Sequence, residues 1–516
     1  MNPKLDGRAL AVASAVAVLT ACNPAPRYAR PPVQAPVAFK EAPADQFKES
    51  SGWKLAEPSD DKLRAKWWEI YNDAQLNALE QQVNISNQSI IAAEARFRAA
   101  RALVVSVRSA LAPTLTAGPS FTNSRFSSTA RRAVVQNGGG VSGATAGAGS
   151  SSGGSTAVPA TSNGGTFNTY SFPVDASYTI DLWHRIRNTL AVNTYEAQAN
   201  AADVGTALLT TEAELAQDYF QVRALDARRA ILEDTVANYR HTVELTQTRF
   251  RAGIDSDEAV AQAQTQLDTA VAQLTDVGVA RAQMEHAIAT LIGKPASNFS
   301  LPVGPFAPKP PVIPVGLPSA LLERRPDIAA AERLVAAANA EIGVVRAAYY
   351  PNLTLSASAG FQTSTPAQWF NWPSRFWSVG PNFAQTLFDP GIRRAQNEQA
   401  QAQYEQTVAN YRQTALTVFQ NVEDNLASLR ILSREIEEQH TAVASASHLL
   451  DLSVTRYKGG VDSYLNVITA QNTVLTNREA EIEIQLRQMT SSVGLIMALG
   501  GGWDTSQIPT PRDLTY

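Results

Sequence analysis

An internal duplication that covers most of the chain constrains its fold more than any other feature. Arg249–Ser256 matches Arg456–Ser463 at an offset of 207 (456 minus 249), whereas Pro113 matches Pro351 at an offset of 238 (351 minus 113). Two offsets indicate one insertion, and the Gly/Ser-rich tract at 138–165 is the obvious place for it. Such self-similarity replaces separate domains by one elongated unit made of two repeats.

Each repeat contains two stretches in which apolar and small polar residues alternate, the pattern of strands with one face in oil and one in water. The four stretches lie at about 113–122, 169–183, 351–362 and 376–388. Each is close to the roughly 9–11 residues that a tilted strand needs to cross a membrane. The pattern alone also fits four strands of a soluble sandwich. In lipid, an open sheet edge would leave backbone groups unsatisfied, so the membrane interpretation implies oligomerisation.

Long segments almost free of Pro and Gly follow the strands. Apolar residues repeat at heptad spacing from Leu208 to Phe250, and the positions from Leu215 onward recur 207 residues later, from Val422 to Tyr457. A helix of this kind reaches roughly 90–100 Å, which is far longer than a globular core requires. The loops at 122–169 and 362–375 would lie outside the cell.

Glycines mark the end of each long helix. The first helix stops at Gly253 and its counterpart at Gly459 and Gly460, and we assign all three to helix-tip turns. Gly253 and Gly460 are predicted to need a positive φ. Returning helices at about 258–291 and 464–499 then run back as antiparallel coiled coils.

The beginning of the chain indicates export. Lys4 and Arg8 precede an apolar run that is too short to span a bilayer as a helix, and the run ends at Thr20-Ala21-Cys22. Leu-Thr-Ala-Cys has the spacing of a lipobox, in which the cysteine becomes the acylated first residue; the alternative is an ordinary cleavage site beside a chance cysteine. Cys22 is the only cysteine of the chain, so an intramolecular disulfide is impossible and anchoring is its remaining role. Asn23 lacks resemblance to an inner-membrane retention signal, which favours the outer membrane.

The composition and the motifs exclude several other functions. Charged residues are 17% of the chain and the net charge is -4, which is unlike the basic stripe of a nucleic-acid binder. The histidines are scattered without metal spacing and no phosphate-binding loop is present, so we expect no enzyme activity and no cofactor other than a lipid on Cys22. We predict a signal peptide at 1–21, an acylated tether and extended segment at 22–74, the first repeat at 75–300, a Pro-rich linker at 301–317, the second repeat at 318–500 and a C-terminal tail at 501–516.

Four motifs in combination resemble the TolC-like outer-membrane factor family, and more narrowly its NodT-type lipoprotein branch. They are Trp67–Leu76, Leu322–Ile328, Tyr350–Leu353 and Arg456–Asp462. The resemblance implies an α+β membrane protein: a trimeric β-barrel, with four strands per protomer, continuous with a long antiparallel coiled-coil α-helical periplasmic tunnel. It also implies a periplasmic adaptor and an inner-membrane resistance-nodulation-division transporter as partners, and efflux of small toxic molecules.

The same resemblance places a gate at the periplasmic helix tips. By motif position, the gate candidates are Tyr457, Asp462, Asn466 and Thr469 in the second repeat, with Glu258 near them in the first. Some relatives have Asp where Asn466 and Thr469 stand, so the resemblance implies either a constriction that attracts cations less strongly or one whose negative charge is carried by Asp462 and Glu258. The Asp-Ser context of Asp462 equally fits a helix cap.

Two other functions fit the sequence. One is a duct of the same fold for type I protein secretion. The other is a structural envelope lipoprotein without a pore, which would have no barrel and no ion conductance.

Overall fold

The computed structural model describes residues 23–33, 35–36, 39–41, 66–125, 133–134, 158–159, 166–306, 308–313 and 321–515. Cys22, the predicted signal peptide at 1–21 and almost all of the Gly/Ser-rich tract at 138–165 lie outside these residues.

Helices dominate the structure, and the two halves use helices of equal length. The α-helices longer than four residues are α1 Ala74–Ser86, α2 Gln88–Ser109, α3 Arg185–Arg251, α4 Asp257–Leu291, α5 Pro326–Ala347, α6 Ile392–Lys458 and α7 Tyr464–Ala498, and a single turn at Leu321–Arg324 precedes α5. Helices α3 and α6 have 67 residues each, and α4 and α7 have 35 each. At 1.5 Å per residue the long helices reach about 100 Å.

The helix boundaries follow from local chemistry. The Asp73 side chain accepts hydrogen bonds from the first free backbone N–H groups of α1, and Asn87 does the same for α2. Helix α3 packs against α4 and α5, and α6 packs against α7. The heptad residues Leu215, Val222 and Val236 are buried along α3, as the apolar spacing predicts.

The strands are β1 Thr114–Ala117, β2 Ser120–Arg125, β3 Ala133–Val134, β4 Val158–Pro159, β5 Thr166–Ile180, β6 Asn352–Thr363 and β7 Arg375–Ala384. Antiparallel pairing places β1 and β2 one after the other along β5, then β6, then β7, while β3 and β4 pair separately. The sheet therefore ends in two open edges, one at β1 and β2 and one at β7.

Three strands differ from the expected boundaries, and β5, at Thr166–Ile180, begins and ends three residues earlier than expected. The strand expected at about 113–122 is interrupted at Gly118 and Pro119, because proline has no N–H for the ladder. The strand expected to reach about 388 ends at Ala384, which pairs with Asn352, the first residue of β6. Pro351 precedes Asn352 and cannot continue the pairing.

The sheet has one continuous apolar face. Residues paired directly across the ladder lie on the same face, so Val174 shares a face with Ala359 and Phe172 shares it with Phe361. Other members of this face are Leu115, Phe121, Tyr170, Tyr178, Ile180, Leu353, Leu355, Trp377, Val379 and Phe383. Asp175 and most threonines and serines of the strands lie on the opposite face; Thr363, which pairs with Tyr170, lies on the apolar face, and Phe376 lies on the opposite one.

A large core at the middle of the long helices joins both halves. It includes Trp67 and Trp68 of a 3-10 helix at Trp67–Tyr71, together with Val222 of α3 and Val422 of α6. Among the described residues, no helix has both the length and the apolar character needed to cross a membrane.

The N-terminal segment runs along the helices from the sheet toward this core. Asn188, in the first turn of α3, donates a hydrogen bond to the Asn23 side chain at 3.2 Å. Further along, the Glu423 carboxylate accepts hydrogen bonds from the backbone N–H groups of Lys40 and Glu41, at 2.8 and 3.0 Å. The segment therefore starts beside the end of α3 that adjoins the strands.

Candidate functional site at the helix tips

The two helix-tip turns have closely similar backbone geometry. Gly253 and Gly460 have φ values of +75° and +70°, the left-handed conformation expected of them, where a side chain would be strained. Gly459 instead has φ -76°, which any residue can adopt. Each turn lies at the end of the long helices remote from the sheet.

A cluster of three side chains links the first turn to the second. The Arg249 guanidinium pairs with the Asp255 carboxylate at 2.9 Å, and the Tyr457 hydroxyl donates a hydrogen bond to the same carboxylate. The Arg249 guanidinium carbon also lies 4.7 Å from the centre of the Tyr457 ring, within cation–π range. We call Arg249, Asp255 and Tyr457 the tip cluster. It joins the two helix tips through Asp255 and Tyr457, which are 202 residues apart in the chain.

The tip cluster stands on a small apolar core. Tyr457 is 3% exposed, and its ring packs with Val243, Ala263 and Tyr464. Burial, followed by the hydrogen bond to Asp255, raises the pKa of the Tyr457 hydroxyl well above its ordinary value. Tyr457 is therefore neutral in water at any ordinary pH and acts as a hydrogen-bond donor.

Asp462 forms a separate set of contacts within the second turn. Its carboxylate accepts a hydrogen bond from the backbone N–H of Ser463 at 2.9 Å and another from the Asn466 side chain. Arg456 lies 3.4 Å away but is largely exposed. These bonds hold the start of α7, where the Ser463 hydroxyl itself makes no capping bond. The contacts of Asp462 therefore stay within the second turn and the start of α7.

The remaining gate candidates lie outside the tip cluster. Glu258 accepts a hydrogen bond from Gln262 one turn along α4, and the Thr469 hydroxyl donates to the backbone carbonyl of Leu465. Both contacts are local to one helix. The structure thus brings Tyr457 together with the first turn, and brings Asp462 together with Asn466, but leaves Glu258 and Thr469 as solvent-facing positions.

Sequence reasoning missed Arg249 and Asp255 as partners of Tyr457. Both residues stand in the repeated motif, where the offset of 207 pairs them with Arg456 and Asp462. One aromatic residue differs between the two copies of the motif, because Phe250 in the first corresponds to Tyr457 in the second. This difference is the sequence feature that could have pointed to the contact. Only the second copy has a hydroxyl that can reach across.

Within the described part of the chain, no three His, Cys, Asp or Glu side chains lie together in a way that would hold a metal ion.

Long paired helices and an amphipathic sheet define a class of outer-membrane duct, and comparison with known proteins agrees. The profile of the outer membrane efflux protein family matches residues 79–294 and 317–501. The chain is 30% identical over 502 residues to the pyoverdine export outer membrane protein OpmQ of Pseudomonas aeruginosa, covering 96% of this chain and 98% of that protein. It is 33% identical over 342 residues to the solvent efflux pump outer membrane protein SrpC of Pseudomonas putida, covering 66% and 72%.

A solved structure has the same fold. The outer-membrane channel OprN superposes with a TM-score of 0.77 at 26% identity, covering 93% of this chain and all of that one (100%). The chain belongs to the outer membrane efflux protein family, as its motifs indicate, and is an outer-membrane component of an efflux system. This is a family of channels rather than of enzymes.

Proposed function

We propose that three copies of this chain form one channel, in which the sheets close into a β-barrel in the outer membrane and the long helices form a tunnel across the periplasm. The observation that carries the proposal is the sheet, which has one continuous apolar face and two open edges. In lipid each open edge would leave backbone groups unsatisfied, and pairing with the next protomer removes this cost.

The helices support the same assembly. Leu416, Ile431, Leu449 and Leu452 of α6 are exposed in the single chain. Their spacing places them within about 60° of one another around the helix. A stripe of this kind is typical of a helix that packs against a neighbour, and a second copy of the chain would bury it.

The tip cluster closes the periplasmic end of the tunnel in this proposal. It holds the first turn against the second within one protomer, so breaking it frees the ends of α3 and α6 to move apart. Asp462 and Asn466 shape the second turn, while Glu258 and Thr469 contribute exposed polar groups near the opening. Opening requires a force from outside the protomer that breaks the contacts of Asp255 with Arg249 and Tyr457.

A periplasmic adaptor supplies that force, and an inner-membrane transporter of the resistance-nodulation-division class supplies energy and cargo. The support is the family, since the relatives bear the names of pyoverdine export and solvent efflux components. The cargo of this chain is small toxic molecules. Because a passive duct conducts what its transporter delivers, the substrate range resides mainly in the partner.

A lipid on Cys22 would add an anchor beside the barrel. Asn23 contacts Asn188 next to the sheet, which places the start of the described N-terminal segment beside the proposed barrel. A single acyl chain gives only marginal binding by itself and here would add to the barrel. Cys22→Ala should abolish lipid labelling while leaving folding intact; labelling that persists in this variant would refute acylation at Cys22.

The test of the channel is the oligomeric mass of the purified full-length protein together with its conductance in planar bilayers. We expect a trimer of small conductance, and a larger conductance in Asp255→Ala because Tyr457 and Arg249 lose their common partner. Asp462→Ala is the matched variant at the corresponding position of the second repeat. Conductance that rises there as well would give Asp462 a gating role, and wild-type conductance would restrict it to capping. A monomer without conductance would overturn the proposal.

A further inference from the structure

The loop at 364–374 lies at the end of the sheet remote from the helices. It joins β6, which follows α5, to β7, which leads into α6. The loop is rich in aromatic residues, with Trp369, Phe370 and Trp372 within four positions. Phe370 and Trp372 are both exposed, which is costly for large apolar rings in water.

Two of these rings lie against aromatic residues of the sheet. The Phe370 ring centre lies 5.7 Å from that of Phe361 and 6.2 Å from that of Phe172. Trp369 stacks on Phe370 at 5.4 Å and lies at the same distance from Tyr170. We call Tyr170, Phe172, Phe361, Trp369 and Phe370 the outer aromatic cluster.

The face of the sheet that the loop covers follows from the ladder. Phe172 pairs with Phe361, and both belong to the apolar face defined above. The loop therefore folds back over the apolar face, away from the polar face that would line a pore. It also leans from β7 toward β5, so the Trp369 and Phe370 rings contact β5 and β6 in the middle of the sheet.

Arg375 indicates the depth at which the loop lies in a membrane. Arg375 pairs with Phe361 in the ladder, which places it on the apolar face, and its guanidinium carbon lies 3.6 Å from the centre of the Trp372 ring. An arginine facing lipid costs about 2–4 kcal/mol at the bilayer midplane but only about 0–1 kcal/mol near the interface. Arg375 is therefore expected at the boundary between acyl chains and headgroups.

The opposite end of the sheet has a matching boundary. Trp183 stacks on Tyr350 at 4.6 Å, and its indole N–H donates to the Pro351 carbonyl at 2.9 Å. Strand β6, of 12 residues, lies between the two aromatic sets. At about 3.3 Å per residue and a tilt of about 40°, it spans roughly 30 Å, close to the thickness of a hydrocarbon core.

We propose that the loop at 364–374 is a membrane-interface anchor, which places Trp369, Phe370 and Trp372 among the lipid headgroups of the outer leaflet with Arg375 at their anionic groups. Indole rings favour this interfacial level because they are apolar with one polar N–H. The inference rests on the proposed barrel, because only a sheet in lipid gives the apolar face this neighbour. It also leaves the mouth of the pore uncovered by this loop.

The test attaches an environment-sensitive fluorophore to an introduced cysteine in the full-length chain, reconstituted in vesicles that contain anionic lipid. Trp372→Cys reports on the loop, Val379→Cys on the apolar face and Ser378→Cys on the polar face. The unsubstituted chain measures any labelling of Cys22. We expect the label at 372 to be quenched by lipids that carry a quencher near the headgroup and protected from iodide in the water, as the label at 379 is protected.

The outcomes separate the loop from the barrel. Lipid quenching at 379 together with iodide quenching at 372 would overturn the anchor and keep the barrel. If neither the lipid quencher nor iodide quenched the label at 372, the loop would contact a neighbouring protomer. This result would also overturn the anchor. If lipid quenched neither the label at 379 nor the label at 372, the result would overturn the proposed barrel as well as the anchor.

A second measurement avoids losing the ring that Arg375 contacts. Trp372→Phe keeps an aromatic side chain but removes one indole fluorophore. The fluorescence lost between the original chain and this variant belongs to Trp372, and brominated lipid should quench that component. If iodide quenched the Trp372 fluorescence and brominated lipid did not, the result would contradict the anchor without relying on an attached fluorophore.

Discussion

The two helix tips have nearly the same sequence but make different contacts. In the first, the Arg249 and Asp255 side chains are 15% and 12% exposed, and the Asp255 carboxylate also accepts a hydrogen bond from the Tyr457 hydroxyl. In the second, the Arg456 side chain is 62% exposed and its pairing distance to Asp462 is longer, at 3.4 Å. Phe250, which corresponds to Tyr457, is 44% exposed. A repeated motif therefore fixes the turn but not the interaction that the turn makes.

The same contrast appears near the middle of the long helices. Arg223 and Arg430 correspond at the offset of 207, and each holds an extended segment against its helix. The Arg223 guanidinium is buried, pairs with Asp226 at 3.0 Å and donates to the Pro302 carbonyl at 2.9 Å. Arg430 instead pairs with Glu41 of the N-terminal segment and is 43% exposed. The first repeat buries its charge and the second leaves it in water.

The largest expected loss of stability comes from replacing Arg223, with Arg430 as the corresponding position of the second repeat. Arg223→Ala removes one partner of a buried carboxylate, and breaking a buried ion pair costs roughly 3–5 kcal/mol. We expect about 3 kcal/mol, the lower end of that range, because Arg281 still pairs with Asp226 at 2.7 Å. Arg430→Ala is the control, with an expected loss of about 0–1 kcal/mol for an exposed pair. The measurement is the thermal unfolding midpoint of the full-length protein in detergent, followed by helical circular dichroism.

Equal losses in the two variants would show that burial does not set the difference between the repeats. A large loss in Arg430→Ala alone would make the N-terminal segment, rather than the linker near Pro302, the more important attachment. Either result would contradict the comparison directly.

Much of the fold follows from local sequence, while the contacts between repeats do not. Gly253 and Gly460 predict their turns because positive φ is a property of one residue and its neighbours. The interruption at Pro119 and the early end of β7 also have local causes, which the alternation of apolar residues conceals. Asp255 as the acceptor for Tyr457 depends on how α3 lies beside α6, and neither helix encodes that alone. The tip residues could therefore be placed from the sequence, but their partners could not be assigned.

A second difference between the repeats is a pair of buried carboxyl groups. Glu212 in α3 corresponds to Phe419 in α6, so the first repeat has an acid where the second has an aromatic ring. Glu212 accepts a hydrogen bond from the Trp67 indole at 3.0 Å, whereas both oxygens of the fully buried Glu80 are without a hydrogen-bond partner. Burial, followed by the charge of Glu212, raises the pKa of Glu80 to about 10. Burial raises the pKa of Glu212 to about 7.

These shifts make the protein less stable as the pH rises. Between the ordinary carboxyl pKa and about 10, the folded chain keeps a proton on Glu80 that the unfolded chain has released. Stability is complete below that window and falls through it by up to about 1.4 kcal/mol per pH unit. Glu80→Gln should remove about 2 kcal/mol of that loss between about pH 6 and pH 7.5. Unfolding midpoints measured at both pH values check this, and an unchanged slope in the variant would exclude Glu80 as its source.

The smallest effect tests the tip cluster by exchanging the one aromatic difference between the motifs. Tyr457→Phe keeps the buried ring and removes the hydroxyl, so Asp255 retains Arg249 and the expected loss is about 1.5 kcal/mol for one hydrogen bond to a charged group. Phe250→Tyr adds a hydroxyl at the exposed counterpart and should change neither stability nor conductance. Single-channel recordings of both variants should therefore show more frequent opening in Tyr457→Phe alone. Equal opening frequencies in the two variants would contradict this prediction. They would show that the Tyr457 hydroxyl does not hold the two turns together.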